Sequence, residues 1–155
     1  MAREGRRSNR GLLRPPIICL CAILLGIALN RAWQLHFVSP SVRLVGPLVT
    51  ACAVVLFLLS YREFRRAGTS VEGSKRSTVI VRTGPYRFSR NPIYLAFILF
   101  VLGLSVWLNN AWLLVTLVPA VGLIAMVVIP REERLLERNL NDQYSSYKAQ
   151  VRRWL

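Results

Sequence analysis

Apolar and charged positions along the chain are segregated rather than mixed. Charge is absent from Pro15 to Asn30, from Leu44 to Tyr61 and from Asn91 to Pro130. A hydrocarbon core takes roughly twenty helical residues, within a range of about 17 to 25, so the third run is long enough for two passes. The pattern predicts four transmembrane helices, at about 16–37, 44–61, 91–108 and 111–129, with Asn109 and Asn110 in a tight turn between the last two. Helices are expected because a segment in lipid must satisfy its own backbone groups. Gly103 and Gly122 suggest close backbone approach between the third and fourth spans, and Pro119 predicts a kink where it removes a helical bond. The predicted class is an all-α membrane protein folded as one domain over residues 1–155.

Beyond Pro130, apolar residues recur at Leu136, Leu140, Tyr144, Tyr147, Val151 and Trp154, at intervals of three and four. That spacing is a helical stripe. It predicts a C-terminal amphipathic cytoplasmic helix over about 131–154, with a break near Asn139 to Asp142. Between the second and third spans, Tyr61 to Ala67 reads as a basic helical end, followed by Gly68 and Gly73. A β-branched run at Thr78, Val79, Ile80 and Val81 is too short for a sheet and is expected to lay extended backbone against the bundle. Thr83-Gly84-Pro85-Tyr86 is a turn signal. Asn91 before Pro92 suits an N-cap and first helical residue, and such an N-terminus is able to hold a ligand carboxylate.

The net charge of +14 adds orientation to this picture. Of the 21 Lys and Arg residues, five precede the first span, two follow it, eight lie between the second and third, none between the third and fourth, and six follow the fourth. Nineteen therefore share one side, which the positive-inside rule makes cytoplasmic, together with both termini. Trp33, Trp107 and Trp112 fall at the opposite ends, as an interfacial aromatic belt requires. A nucleic-acid module of this basicity is excluded by the long uncharged runs. The basic N-terminus and first apolar run resemble a leader, but no small-x-small cleavage signal follows, so a retained span is expected. Cys19, Cys21 and Cys52 sit inside apolar runs as packing residues, and the single histidine, His36, makes no metal site.

The cytoplasmic segments carry the candidate chemistry. Gly84-Pro85-Tyr86-Arg87, Ser89-Arg90-Asn91-Pro92-Ile93-Tyr94, Arg131-Glu132-Glu133-Arg134-Leu135-Leu136, then Tyr144, Tyr147 and Val151-Arg152-Arg153-Trp154 resemble the isoprenylcysteine carboxyl methyltransferase-like membrane methyltransferases, a group similar to the phospholipid methyltransferases. The C-terminal half carries the likeness. The N-terminal half matches in its spans and in Arg65-Arg66-Ala67-Gly68-Thr69. Asn91 stands where the carboxyl methyltransferases carry His, and Leu140-Asn141 stands where Phe-Gly is usual.

The resemblance implies methyl transfer from S-adenosylmethionine to a lipid-like or amphiphilic acceptor, with carboxylate O-methylation as the first expectation and a bacterial inner membrane as the location. It implies a cofactor pocket lined by Val79, Ile80, Val81, Tyr86, Asn91, Pro92 and Tyr94, closed by Glu132 and Glu133. Arg131 and Glu133 are the expected catalytic residues, Arg131 through the rigid fork that suits an anionic acceptor. Neighbouring helical residues point about 100° apart, so only one of Glu132 and Glu133 is expected to face the pocket while the other meets Arg131 or the basic loop. The alternatives are a phospholipid or amine N-methyltransferase, and a non-enzymatic scaffold or lipid-binding protein with solvated charges on its inner face.

Overall fold

The computed structural model describes residues 15–68 and 80–154. Six α-helices follow one another among them: α1 (Pro15–Ala32), the short α2 (Pro40–Arg43), α3 (Val45–Arg66), α4 (Pro92–Trp107), α5 (Ala111–Leu123) and α6 (Ile129–Gln150). A 3-10 turn at Gly84–Arg87 precedes α4, and a π-helical stretch at Ile124–Val128 joins α5 to α6. No strand occurs among the described residues. Three segments are long and apolar enough to cross a membrane: Pro15–Ala32, Pro40–Arg66 and Ala111–Gln150. The helix α4 has 16 residues, about 24 Å at 1.5 Å per residue, and is the shortest of the four expected spans. Large apolar side chains point outward, with Val118 72% and Met126 82% exposed. Such a surface suits lipid.

The first span is shorter than the hydrophobic pattern predicts. It ends at Ala32 rather than near residue 37 because the following loop finds other partners. The Asn109 side-chain carbonyl accepts the amides of Phe37 at 2.9 Å and Val38 at 3.0 Å. The Ala111 amide donates to the Leu35 carbonyl at 3.0 Å. Asn109 itself adopts φ +50°, a left-handed conformation that Asn tolerates better than most residues. The loop after α1 is therefore stapled to the α4–α5 turn, where the expected Asn109-Asn110 turn is found.

Two helix pairs dominate the packing, α3 with α4 and α1 with α5. Gly103 serves the first pair rather than the expected α4–α5 contact: a Cβ there would stand 2.5 Å from Thr50 Oγ1 and 2.6 Å from the Thr50 amide nitrogen. Gly122 meets nothing within 4 Å, so it brokers no approach. In the second pair, Thr116 Oγ1 donates to the Ala22 carbonyl at 2.9 Å and Asn110 Nδ2 to the Gly26 carbonyl at 3.2 Å. Polar links of this kind hold helices together where lipid removes the hydrophobic drive between them.

The fourth span also departs from expectation. The α-helix runs through Pro119 to Leu123, and the irregular turn lies at Ile124–Val128 instead. Pro130 explains that position: it has no amide to give Met126, and its ring would crowd that carbonyl in a regular helix. A widened turn moves the carbonyl away. Further on, Asn141 takes φ +31° and ψ −109°, which places the expected break inside 139–142. The amphipathic stripe holds through Tyr144 and Tyr147, both buried, but the helix ends at Gln150. Val151 to Trp154 leave it as a non-helical strap, and Trp154 packs on an apolar cluster that includes Ile93, Tyr94 and Ile129.

Candidate functional site

The site is assembled where α3 ends and α4 and α6 begin. Gly84 opens the 3-10 turn at φ +59°, and a Cβ there would stand 2.9 Å from the Glu63 side chain, so both conformation and space call for glycine. Thr83 Oγ1 donates to the Glu63 carboxylate, tying the turn to the end of α3. Tyr86 packs edge-on against Phe64, with ring centroids 5.2 Å apart, and its carbonyl accepts the Tyr147 hydroxyl at 2.7 Å. The Tyr86 hydroxyl is buried without a partner among the described residues. Burial pushes this phenol up, with smaller contributions from Tyr147 and Glu132. An orphaned buried hydroxyl costs about 1–3 kcal/mol, a cost that a ligand atom would relieve.

One turn into α4, the Tyr94 hydroxyl donates to Glu132 Oε2 at 2.7 Å. Glu132 lies in the first turn of α6, just past the uncharged run that ends at Pro130. Burial raises its carboxyl above the usual range, and the bond from Tyr94 offsets this in part. A carboxylate held in this state gains from a cationic partner. Ile80 and Val81 are non-helical, with Val81 buried. Beside them, Arg82 Nη2 donates to the Gln143 carbonyl at 2.7 Å and its guanidinium lies 5.8 Å from the Tyr147 ring centroid. The Arg82 side chain thus ties this segment to the far half of α6.

Glu133 faces a different cluster. Its carboxylate receives Arg153 through two bonds, Nε to Oε1 at 3.2 Å and Nη2 to Oε2 at 2.7 Å, and Arg90 Nη1 stands 3.1 Å from Oε1. The Glu133 and Arg90 side chains are only 8% and 10% exposed. The strap completes the cluster through its backbone. The Arg90 amide donates to the Arg152 carbonyl at 3.0 Å, and the Arg153 carbonyl accepts Asn91 Nδ2 at 3.1 Å and Ser89 Oγ at 3.3 Å. Asn91 occupies the N-cap position without a side-chain cap bond to α4, and its Nδ2 is held by the strap.

Sequence comparison bears directly on this arrangement, because residues 42–143 match the phospholipid methyltransferase family. The chain belongs to that family. The match includes the turn, the start of α4 and the first turns of α6, while α1 and the strap lie outside it. A phospholipid methyltransferase family member acts in or at a membrane, which fits the three long apolar helices. A protein of Haemophilus influenzae described as uncharacterized is 36% identical over 63 residues, 41% of this chain and all of that relative. The nickel-cobalt-cadmium resistance protein NccN of Alcaligenes xylosoxydans xylosoxydans is 30% identical over 124 residues, 79% of this chain but 52% of that relative. The chain thus spans about half the length of NccN. No solved structure matches it.

Among the expected site residues of this family member, Tyr86, Tyr94 and Glu132 come together. Pro92 is buried as the first residue of α4, and Ile80 and Val81 precede Arg82, whose side chain reaches α6. Val79 lies outside the described residues. Glu133 turns to the basic loop, as one of the two acids was expected to, and takes Arg153 as well. Arg131 is exposed and has no hydrogen bond or ion pair among the described residues. Arg90 and Arg153 were missed as members of the cluster, although both stand in segments that carry the resemblance. Their pairing joins positions 63 residues apart, and no local spacing announces it.

Proposed function

We propose that the chain is an S-adenosylmethionine-dependent methyltransferase acting on a lipid-like or amphiphilic acceptor at the cytoplasmic face of the membrane. The observation that carries this reading is the cluster of Tyr94, Glu132 and the unpartnered Tyr86 hydroxyl. A desolvated carboxylate and an orphaned phenol fit the ammonium and hydroxyl groups of that cofactor. When bound, the cofactor supplies a methyl group activated on a sulfonium. Glu132 would orient the bound molecule through its amine or hydroxyls, Tyr94 would fix the Glu132 rotamer, and Tyr86 would close the inner wall beside Val81. Arg131, exposed one residue earlier, is available to an anionic headgroup at the surface. Methyl transfer is an in-line displacement that relies on positioning and exclusion of water more than on a general base, so the site residues are asked mainly to bind and align.

A second reading, transfer to a headgroup amine, is favoured by the family's description. Such an amine must lose its proton before it attacks, so the rate would rise with pH, whereas a carboxylate acceptor is already ionised near neutrality. Calorimetry on the detergent-solubilised chain tests the cofactor site itself. Glu132→Gln is expected to weaken S-adenosylmethionine at least tenfold, the consequence of losing a charge-assisted bond in a dry pocket, with little change in thermal stability. Equal affinity in wild type and Glu132→Gln would remove this acid from the site.

The proposed topology has four spans, α4 included, with both termini inside. It is supported by the nineteen basic residues sharing one side. Cysteines placed at exposed Gln34 and Arg87 are expected to react with an impermeant reagent from opposite faces of intact cells. Labelling of both from outside would break this topology.

A further inference from the structure

The outward face of α6 carries charge that the candidate site does not use. Ile129 and Glu133 are buried on one side of this helix, whereas Arg131, Arg134, Leu135 and Arg138 are all exposed. At 3.6 residues per turn these four fall within an arc of about 100° on the opposite side. None of the three arginines enters an ion pair among the described residues. The nearby acids are committed elsewhere: Glu132 takes the Tyr94 hydroxyl, Glu133 takes Arg90 and Arg153, and Glu137, whose charge reaches Arg134, takes Lys148. Asp142 is exposed beyond the break at Asn141 and pairs with none of them. A row of uncompensated guanidinium groups is left facing out.

The depth of this row follows from the rod that carries it. One helical segment runs from Ala111 to Gln150, its uncharged run ends at Pro130, and it exposes Leu123 and Met126 shortly before the charge begins. The headgroup layer is about 5–8 Å deep on each side of the hydrocarbon core, and a helix rises about 1.5 Å per residue. Arg131 and Arg134 thus fall about 1.5 and 6 Å past the last uncharged residue, inside that layer, and Arg138, about 12 Å out, reaches back along its stem. Leu135, 44% exposed, stands among them where acyl chain meets headgroup. We propose that Arg131, Arg134 and Arg138 form a docking face for anionic phospholipids of the adjoining leaflet, on the side of α6 turned away from Glu133. The planar guanidinium fork matches phosphate oxygens two at a time. Lipid held there fixes the rotation and depth of α6, and with them the level of the Tyr94–Glu132 pair.

Because Arg131 is also available to the acceptor, the test rests on the other two arginines. Dioctanoyl phosphatidylglycerol and dioctanoyl phosphatidylcholine are titrated by calorimetry into the full chain in a neutral detergent at low salt. The test variant carries Arg134→Gln and Arg138→Gln; the control carries Arg62→Gln and Arg65→Gln, which remove the same charge from the exposed end of α3. Wild type is expected to bind phosphatidylglycerol more tightly than phosphatidylcholine. The test variant should lose about fivefold in phosphatidylglycerol affinity per arginine, about thirtyfold in all, with phosphatidylcholine and Tm unchanged, and the control should bind both lipids as wild type does. If the double variant lowers Tm, the single variants decide, each losing about fivefold at the wild-type Tm. Equal weakening in test and control makes the effect one of net charge and overturns the proposal. So does unchanged affinity in the test variant, or a wild type with no preference for phosphatidylglycerol, the result expected if an acidic protein or a second copy covers this face. A chain that docks anionic lipid but transfers no methyl group leaves this face standing and removes the methyltransferase reading alone.

Discussion

Glu133→Gln is expected to lower the unfolding free energy by about 3 kcal/mol, read as a fall in Tm of the detergent-solubilised chain. Breaking a buried ion pair by removing one partner costs about 3–5 kcal/mol, because the remaining charge stays buried and uncompensated. The Arg90 side chain is 10% exposed and would lose its carboxylate, while Arg153 at 38% recovers part of its solvation, which places the effect near the lower end. The effect should extend beyond the pair. The strap is anchored both by the Arg153 guanidinium and by its backbone, so a loosened strap frees Asn91 and Trp154 together. The matched control is Glu137→Gln, which breaks the exposed pair with Lys148 and should leave Tm nearly unchanged, because solvent screens that pair. Equal effects of the two substitutions would mean that the Glu133 cluster is no more than a surface salt bridge.

Gly103→Leu should do more damage, since it acts where α3 and α4 touch. Even the first added carbon would fall 2.5 Å from Thr50 Oγ1 and 2.6 Å from the Thr50 amide nitrogen, and 3.0 Å from the Gly46 carbonyl. Two of these three neighbours are backbone and cannot swing aside. Overpacking by a methylene or so costs about 1–3 kcal/mol, so Gly103→Ala is expected in that range and Gly103→Leu to separate the two helices and abolish folded protein. Gly122→Leu has open space and is expected to leave Tm nearly unchanged. Thermal unfolding and yield of folded protein check both. A tolerated Gly103→Leu would show that α3 and α4 do not approach as described.

Much of this architecture was legible because lipid leaves few choices: an uncharged run of sufficient length becomes a helix, and its charged flanks stay in water. The Asn141 break and the left-handed Asn109 were readable from residue chemistry. The end of α1 was not, since the run 33–37 looks apolar enough to continue, and only the distant Asn109 carbonyl, 72 residues from Phe37, takes its amides away. The strap was misread for the same reason. Val151 and Trp154 fit a helical stripe, but the Arg152 and Arg153 carbonyls are claimed by Arg90, Asn91 and Ser89. At the site, the 100° rule required Glu132 and Glu133 to diverge without saying which goes where. Arg131 was attractive as a residue type, yet the same helical rotation that buries Glu133 leaves Arg131 outward.

Methyl transfer itself is the most direct test of the proposed function. Membranes carrying the wild-type chain or Glu132→Gln are incubated with S-adenosylmethionine labelled in its methyl group, and lipids are extracted and counted. The expected result is label in the lipid extract with wild type, reduced at least tenfold by Glu132→Gln. Label no higher than in membranes lacking the chain, with the protein folded and inserted, would contradict the assignment and leave a membrane scaffold in its place.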